Sequence, residues 1–331
     1  DVIVAHDFPA RLKAAAARFQ FNIISASPTT AGSFPVITFS VTDPTNGNQP
    51  YNIKTDAPFT AGGASTLSVR LGWTKSGIAD IGNEGNGINF GQPISINALA
   101  DSVPGSVAGT FAVTSTIAIP ATQTGTLRVI IDGHPAGDVT TPGTFADRLA
   151  VKSVFRDVAI TGTVVARRQV VDIAKCDVCH DVLSLHGANR NDEPGVYVVC
   201  HNPNATDAGR RPSAAGVLTG GVDGKLEEAV DLKTMIHAIH AGEASQGGFR
   251  ENGIVVYGFG GSVNDFSSVV FPGKLSNCTA CHTSSSYQLT GIWDSATANG
   301  ILGTTTSTDT SWSDAADNLR TSPTTAVCSS C

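Results

Sequence analysis

Phe111-Ala-Val-Thr-Ser-Thr-Ile-Ala-Ile119 and Thr126-Leu-Arg-Val-Ile-Ile131 are two β-branched stretches in partial alternation, and the break between them opens on Pro120 and closes on Gly125. A strand, a turn and a second strand are written in this way. Outward from this pair, Val36-Ile-Thr-Phe-Ser-Val41, Ser65-Thr-Leu-Ser-Val-Arg-Leu-Gly-Trp73 and Leu149-Ala-Val-Lys-Ser-Val154 carry the same signature. Asp43-Pro-Thr-Asn-Gly47, Asn83-Glu-Gly-Asn-Gly87 and Asp132-Gly-His-Pro135 supply turn residues between the candidate strands. From about Asn22 to Ile160 the chain is therefore expected to be all-β, an antiparallel sandwich or split barrel. Arg11-Leu-Lys-Ala-Ala-Ala-Ala-Arg18 is the exception, a short Ala-rich helical stretch.

After Arg167-Arg168-Gln169 the β pattern fades, and the expected boundary lies near residue 165. Residues 1–165 form a β-rich domain in this reading, and residues 166–331 a second domain with few helices and little regular structure. The 331 residues suit two domains. The second region has few apolar runs and one convincing helix, Leu226 to Ala241, which opens on Glu227-Glu228 and ends before Gly242. Asp294 to Thr325, rich in Ser, Thr, Ala and Gly, reads as a loop or irregular wrap. So thin a core suggests that something other than side chains fills this domain.

Composition excludes several classes. With 21 Lys and Arg against 28 Asp and Glu, the net charge of −7 argues against a protein that tracks phosphate backbones. Hydrophobic residues at 41% with 35 Gly and 16 Pro fit a globular chain with many turns. No apolar run is long enough to cross a bilayer, and Asp1-Val-Ile-Val-Ala-His6 lacks the basic start of a signal peptide, so a soluble, mature form is expected.

All seven cysteines follow residue 175. Cys176-Asp-Val-Cys179-His180 and Cys278-Thr-Ala-Cys281-His282 have the c-type haem attachment pattern, in which two thiols add to the porphyrin vinyls and the adjoining His reaches the iron. Structural zinc is the rival reading, but its knuckles usually pair within a few tens of residues, and these lie far apart, each with its own His. Cys328-Ser-Ser-Cys331 repeats the spacing, with its axial position just beyond the last residue; a fourth haem, a redox pair and a disulfide are the alternatives. Tyr197-Val-Val-Cys200-His201 keeps the second Cys and the His but has Tyr at the first position, so it is either a singly attached haem or a buried Cys beside a core His.

The histidines balance. His180, His201 and His282 are proximal candidates. His186, too close to His180 to serve the same ring, and His237 and His240, three apart on one helical face, are distal candidates. A surface pair or a zinc site is the alternative for His237 and His240. His134, in Gly133-His134-Pro135, is either a distal ligand for a fourth haem or a loop His with no metal. His6 is assigned no role.

These residues carry a resemblance. Cys176 to Gly187, Val198-Val-Cys200-His201-Asn-Pro-Asn-Ala-Thr-Asp207 and Met235-Ile-His237-Ala-Ile-His240-Ala-Gly242 together resemble the decahaem outer-surface c-type cytochromes of metal-reducing bacteria, the OmcA/MtrC type. Phe39-Ser-Val-Thr-Asp43-Pro44 and Gly133-His134-Pro135 resemble its β-domain. The family normally has Cys where this chain has Tyr197, and its remaining haems and second β-domain are absent after Cys331, so the chain resembles an N-terminal portion. The resemblance implies haem c, three to four in this chain, and electron transfer from an outer-membrane conduit at the cell surface to metal oxides, flavins or other cytochromes. Haem attachment itself implies a periplasmic or extracellular compartment. Irons with two His ligands have no open position, which disfavours chemistry at iron. A reductase with one five-coordinate haem, or a subunit of a cytochrome filament completed by a second chain, are the alternatives.

Overall fold

The computed structural model describes residues 2–60, 64–73, 92–215, 217–245, 253–283, 286–287, 297–298, 301–302, 304–306, 319–322 and 327. It divides into two units. The first holds the described residues of Asp1–Trp73, Ile94–Val165 and Ile173–Val196, and the second those of Thr74–Pro93, Ala166–Asp172 and Tyr197–Cys331. The segment Ile173–Val196, with the first C-x-x-C-H motif, is thus grouped with the β-rich part of the chain.

The first unit runs through α1 (Val2–Ala16), β1 (Gln20–Ser27), β2 (Val36–Asp43), β3 (Gln49–Pro50), α2 (Ala57–Thr60), β4 (Thr66–Trp73), β5 (Ile94–Asn97), α3 (Ala98–Asp101), β6 (Val103–Pro104), β7 (Phe111–Thr114) and β8 (Thr126–His134). It continues through β9 (Ala136–Gly137), β10 (Asp147–Arg148), β11 (Val154–Ala159), α4 (Ile173–His180), β12 (Ser184–Leu185), β13 (Arg190–Asn191) and the start of α5 (Pro194–Cys200). One antiparallel sheet has the order β1-β2-β7-β6 with β3 on β2, and the other the order β11-β8-β4-β5. Both close on one core. Phe21, Ile37, Phe39, Val41, Phe111 and Val113 come from the first sheet, and Leu67, Val69, Leu71, Ile94, Ile96, Leu127, Val129 and Ile131 from the second. Their every-other-residue spacing is the period of a half-buried strand, and the result is a β-sandwich.

Several expected elements shift. Asp132-Gly133-His134 is strand, not turn: these residues pair with Ser68, Leu67 and Thr66 of β4. Gly133 makes this approach feasible, because a Cβ there would lie 2.3 Å from the Thr66 carbonyl oxygen. The expected strand at Leu149–Val154 lies later, at Val154–Ala159, and Phe111–Ile119 is strand only to Thr114. The Arg11–Arg18 helix starts earlier, at Val2, and ends at Ala16. Asp43-Pro-Thr-Asn-Gly47 is the turn expected: Asp43 accepts from the Thr45 N–H at 2.9 Å, and Gly47 adopts φ 60°. The turn at Asn83–Gly87 lies outside the described residues, as does most of Asp294–Thr325, in which only short strands are described.

Every residue of β8 is buried, although Arg128, Asp132 and His134 alternate with its core residues. The segment Ile173–Val196 covers this polar side. Arg128 donates to the Gly195 carbonyl at 2.8 Å, the Gly133 N–H donates to the Asn189 carbonyl at 2.9 Å, and Asp132 pairs with Arg70 at 2.5 Å and Arg190 at 3.2 Å. Asn191, fully buried, donates to the carbonyls of Val151 and Ala188.

The described part of the second unit has a small apolar core of Ala205, Val230, Met235, Ala238 and Ile254. Around it lies a buried polar network. Arg211, with a fully buried side chain, pairs with Asp207 and Asp223, each at 2.7 Å, and donates to the carbonyls of Lys225 and Val255. Asp207 also accepts from the N–H groups of Glu228 and Tyr257. The main helix is α6, Leu232–Ala241, and starts six residues later than the sequence suggests. Asp231 caps it by accepting from the Lys233 N–H, while the Glu228 backbone is held in extended pairing with Asp207, so the helix cannot begin at Leu226. Among the described residues no helix is long and apolar enough to cross a membrane.

Candidate haem-ligating site

In the first unit, Cys176, Cys179 and His180 lie on α4. A three-residue separation puts both thiols on one side of a helix, with Cys176 half-buried and Cys179 exposed. Asp181, at φ 60°, ends the helix. His186 sits in the turn between β12 and β13, exposed, at φ 54°, where its carbonyl accepts from the Asn189 amide at 2.7 Å. His134 is 2% exposed within β8, and among the described residues its Nδ1 has no hydrogen-bond partner. Burial, and secondarily the charge of Arg148, push its pKa down to about 4 against the opposing Pro135 backbone, so the ring is neutral.

The second unit holds His201, His237, His240 and His282, and their Nδ1 atoms are treated alike. His201 Nδ1 lies 2.9 Å from the Val230 carbonyl, His240 Nδ1 lies 2.8 Å from the Ile236 carbonyl, and His237 Nδ1 bonds the Lys233 carbonyl. A carbonyl only accepts, so each of these rings carries its proton on Nδ1. His282 Nδ1 lies 3.1 Å from the Ser286 hydroxyl, which gives its own hydrogen to the Val170 carbonyl at 2.6 Å. Ser286 therefore accepts, and His282 too is protonated on Nδ1. All four imidazoles are set in the tautomer whose Nε2 keeps a lone pair, and metal-binding histidines are commonly oriented in this way by their surroundings. Burial, with the neighbouring His240 adding to it, lowers the pKa of His237 against the opposing Lys233 carbonyl and favours the neutral ring.

Two of these rings meet. The centroids of His237 and His282 are 6.0 Å apart, with planes 26° from parallel. Two imidazoles held by one iron, with metal–nitrogen bonds of about 2 Å, would have ring centres about 6 Å apart. His282 is positioned by backbone: its N–H bonds the Cys278 carbonyl at 3.0 Å around a 3-10 turn at Cys278–Ala280, and it bridges to Val171. His240, on the same helix, lines a different space, a cleft of about 350 Å³ whose other walls include Val269, Val270, Phe271 and Leu275. Phe271 meets its ring edge-on at 5.7 Å. Mostly apolar walls beside an imidazole suit the face of a macrocycle.

Cys200 ends α5, half-buried, with His201 immediately after it. Tyr197, one turn earlier, is 5% exposed. Cys328 and Cys331 lie outside the described residues. Among the described residues no three His, Cys, Asp or Glu side chains converge on a metal-ion site.

The sequence missed the groups that orient the rings. The Lys233 and Ile236 carbonyls lie four residues before their histidines and follow from helix geometry alone. The Val230 carbonyl and the Ser286–Val170 relay join distant segments and leave no sequence signal.

A β-sandwich followed by a segment of paired cysteines and oriented histidines is the arrangement to be compared with known proteins. Residues 168–331 match the family described as outer membrane cytochrome MtrC/MtrF-like, domains II/IV, and through this region the chain is similar to that family. No curated protein sequence matches it. Two crystal structures are similar. The outer membrane decahaem cytochrome OmcA is 15% identical, with a TM-score of 0.45, over 86% of this chain and 41% of its own. MtrC from Shewanella baltica OS185 is 18% identical, with a TM-score of 0.39, over 67% of this chain and 32% of its own. The chain thus spans less than half the length of either.

Proposed function

We propose that the protein is an extracellular multihaem c-type cytochrome that carries electrons through bis-His haems at the outer-membrane surface. Cys176 and Cys179, Cys278 and Cys281, Cys328 and Cys331, and the single Cys200 would attach three to four haems, mainly within residues 166–331. His180, His201 and His282 would be proximal ligands, and His186, His237 and His240 distal ones, with His237 and His282 sharing one iron. His134, buried and neutral, is held within its sheet and is the weakest member of the set. Haem supplies one-electron chemistry at the porphyrin edge. The chain's own groups hold the imidazoles in the Nδ1–H tautomer, and Val269, Val270, Phe271 and Leu275 offer an apolar wall beside His240. Its electron-transfer partners would be other cytochromes of an outer-membrane conduit, with metal oxides or flavins as acceptors.

The observation that carries this reading is the common Nδ1 anchoring of four imidazoles, two of them at the separation of trans ligands. His237→Ala tests it. The account predicts that one haem per chain changes from low-spin to high-spin in its optical and electron paramagnetic resonance spectra while the covalent haem count stays constant. An unchanged spectrum in the fully loaded variant would contradict the pairing.

A further inference from the structure

Seven cysteines contain three C-x-x-C pairs, and Cys200 is left over. The position one turn before it on α5, which in α4 is held by Cys176, is held here by Tyr197. Tyr197 is no surface substitution: it is 5% exposed, flanked by Val196 and Val199 at 0% and Val198 at 5%. The rest of the motif is intact. His201 continues the helix, its N–H bonding the Tyr197 carbonyl at 2.8 Å, and its carbonyl accepts from the Leu232 N–H at 3.0 Å. Its Nδ1 proton is held by the Val230 carbonyl, and that of the other motif histidine of this unit, His282, by the Ser286 hydroxyl. The Cys200 carbonyl accepts from the Gln92 amide at 3.1 Å. The segment thus keeps the positioned imidazole of an attachment motif and offers one thiol.

Resting on the haem reading above, we propose that the haem at Cys200-His201 is held by a single thioether and keeps one vinyl group, with the Tyr197 side chain in place of the second sulfur. In the linking step the Cys200 S–H adds across one vinyl. Sulfur bonds the carbon next to the ring, the hydrogen goes to the terminal carbon, and the C=C π bond is consumed. Nothing leaves and no oxidant is needed. The second vinyl finds no thiol, since each other cysteine lies in a pair of its own, and it stays conjugated with the porphyrin. This haem therefore differs electronically from those of the paired motifs.

The test is proteolysis of the haem-loaded, full-length protein, followed by mass spectrometry and a reduced pyridine haemochrome spectrum of each haem peptide. The proposal predicts one haem on the Cys200 peptide, with an α band between those of a two-thioether haem c and a haem b, and two-thioether bands on the Cys176/Cys179 and Cys278/Cys281 peptides. Tyr197→Cys should move the intermediate band to the two-thioether position, and Tyr197→Phe should leave it unchanged. A haem-free Cys200 peptide beside loaded paired motifs, or a two-thioether band on it, would overturn the proposal and leave the cytochrome reading standing. Haem on none of the peptides would overturn the cytochrome reading itself. The wild-type peptides decide the matter even if a Tyr197 variant fails to fold.

Discussion

The two units differ in what fills them. In the first, both sheets bury an uninterrupted set of large side chains, Phe21, Phe39, Leu71, Phe111 and Ile131 among them. In the second, the described core is Ala205, Val230, Met235, Ala238 and Ile254, and the buried residues around it include polar ones, Asn202, Asn204, Asp207 and Arg211, beside apolar ones such as Val199, Leu218 and Val255. Apolar burial stabilises the first unit by an ordinary route, at about 25 cal/mol per Å². Arg211 and its carboxylates cannot do the same for the second, because desolvation of a buried ion pair offsets most of its attraction. Such a network fixes the geometry of a unit better than it stabilises it, and the account assigns the missing apolar contact to haem.

Haem removal is the sharpest way to break this comparison. In chain produced without haem attachment, peptides from α6 should exchange their amide hydrogens at nearly unfolded rates while β2 and β8 stay protected, as read by hydrogen-exchange mass spectrometry. Protection of α6 in the haem-free chain would show that the second unit needs no filler.

Next comes the polar network. Arg211→Ala strands the buried carboxylates of Asp207 and Asp223, and breaking such a pair costs about 3–5 kcal/mol. Protection of the Asp207, Val255 and Tyr257 amides in the loaded protein should fall accordingly, with no change in β2 or β8. Equal losses in both units would mean that they unfold together.

The smallest effect is a pH dependence. Burial raises the pKa of Asp223, but hydrogen bonds from Arg211 and the Lys225 N–H, with both their charges, outweigh it and hold the carboxyl below its usual 3.8. A depressed carboxyl contributes stability that is complete above its unfolded pKa of about 3.9 and is lost as pH falls through the lower folded value. The stability gap between wild type and Asp223→Asn, from urea midpoints, should therefore be constant near neutrality and close below about pH 4. A gap that widens in acid would contradict the assignment.

The same contrast explains what could be read from sequence. Strands β2 and β4 were legible because their apolar residues alternate against a core. The polar side of β8 was not, since Arg128, Asp132 and His134 look solvent-facing until Asn189, Arg190 and Gly195 are seen to cover them. Asp132-Gly133-His134 has turn composition, yet it is strand because Gly133 lets Thr66 come close, a long-range fact. Likewise the start of α6 is set by pairing of Glu228 with Asp207, not by local propensity. In the candidate site the Cys and His residues stand out as motifs, and their spacing is the one haem attachment would require. The approach of the His237 and His282 rings does not, because it depends on how Val170, Val171 and Ser286 hold the turn that begins at Cys278.

The central claim is that haem completes the second unit, and the most direct test is the intact mass of the denatured protein with its pyridine haemochrome spectrum. The account predicts three or four covalently attached haems per chain, with a c-type band. A mass equal to that of the bare polypeptide, with no haemochrome band, from protein matured with haem-attachment machinery present, would contradict it.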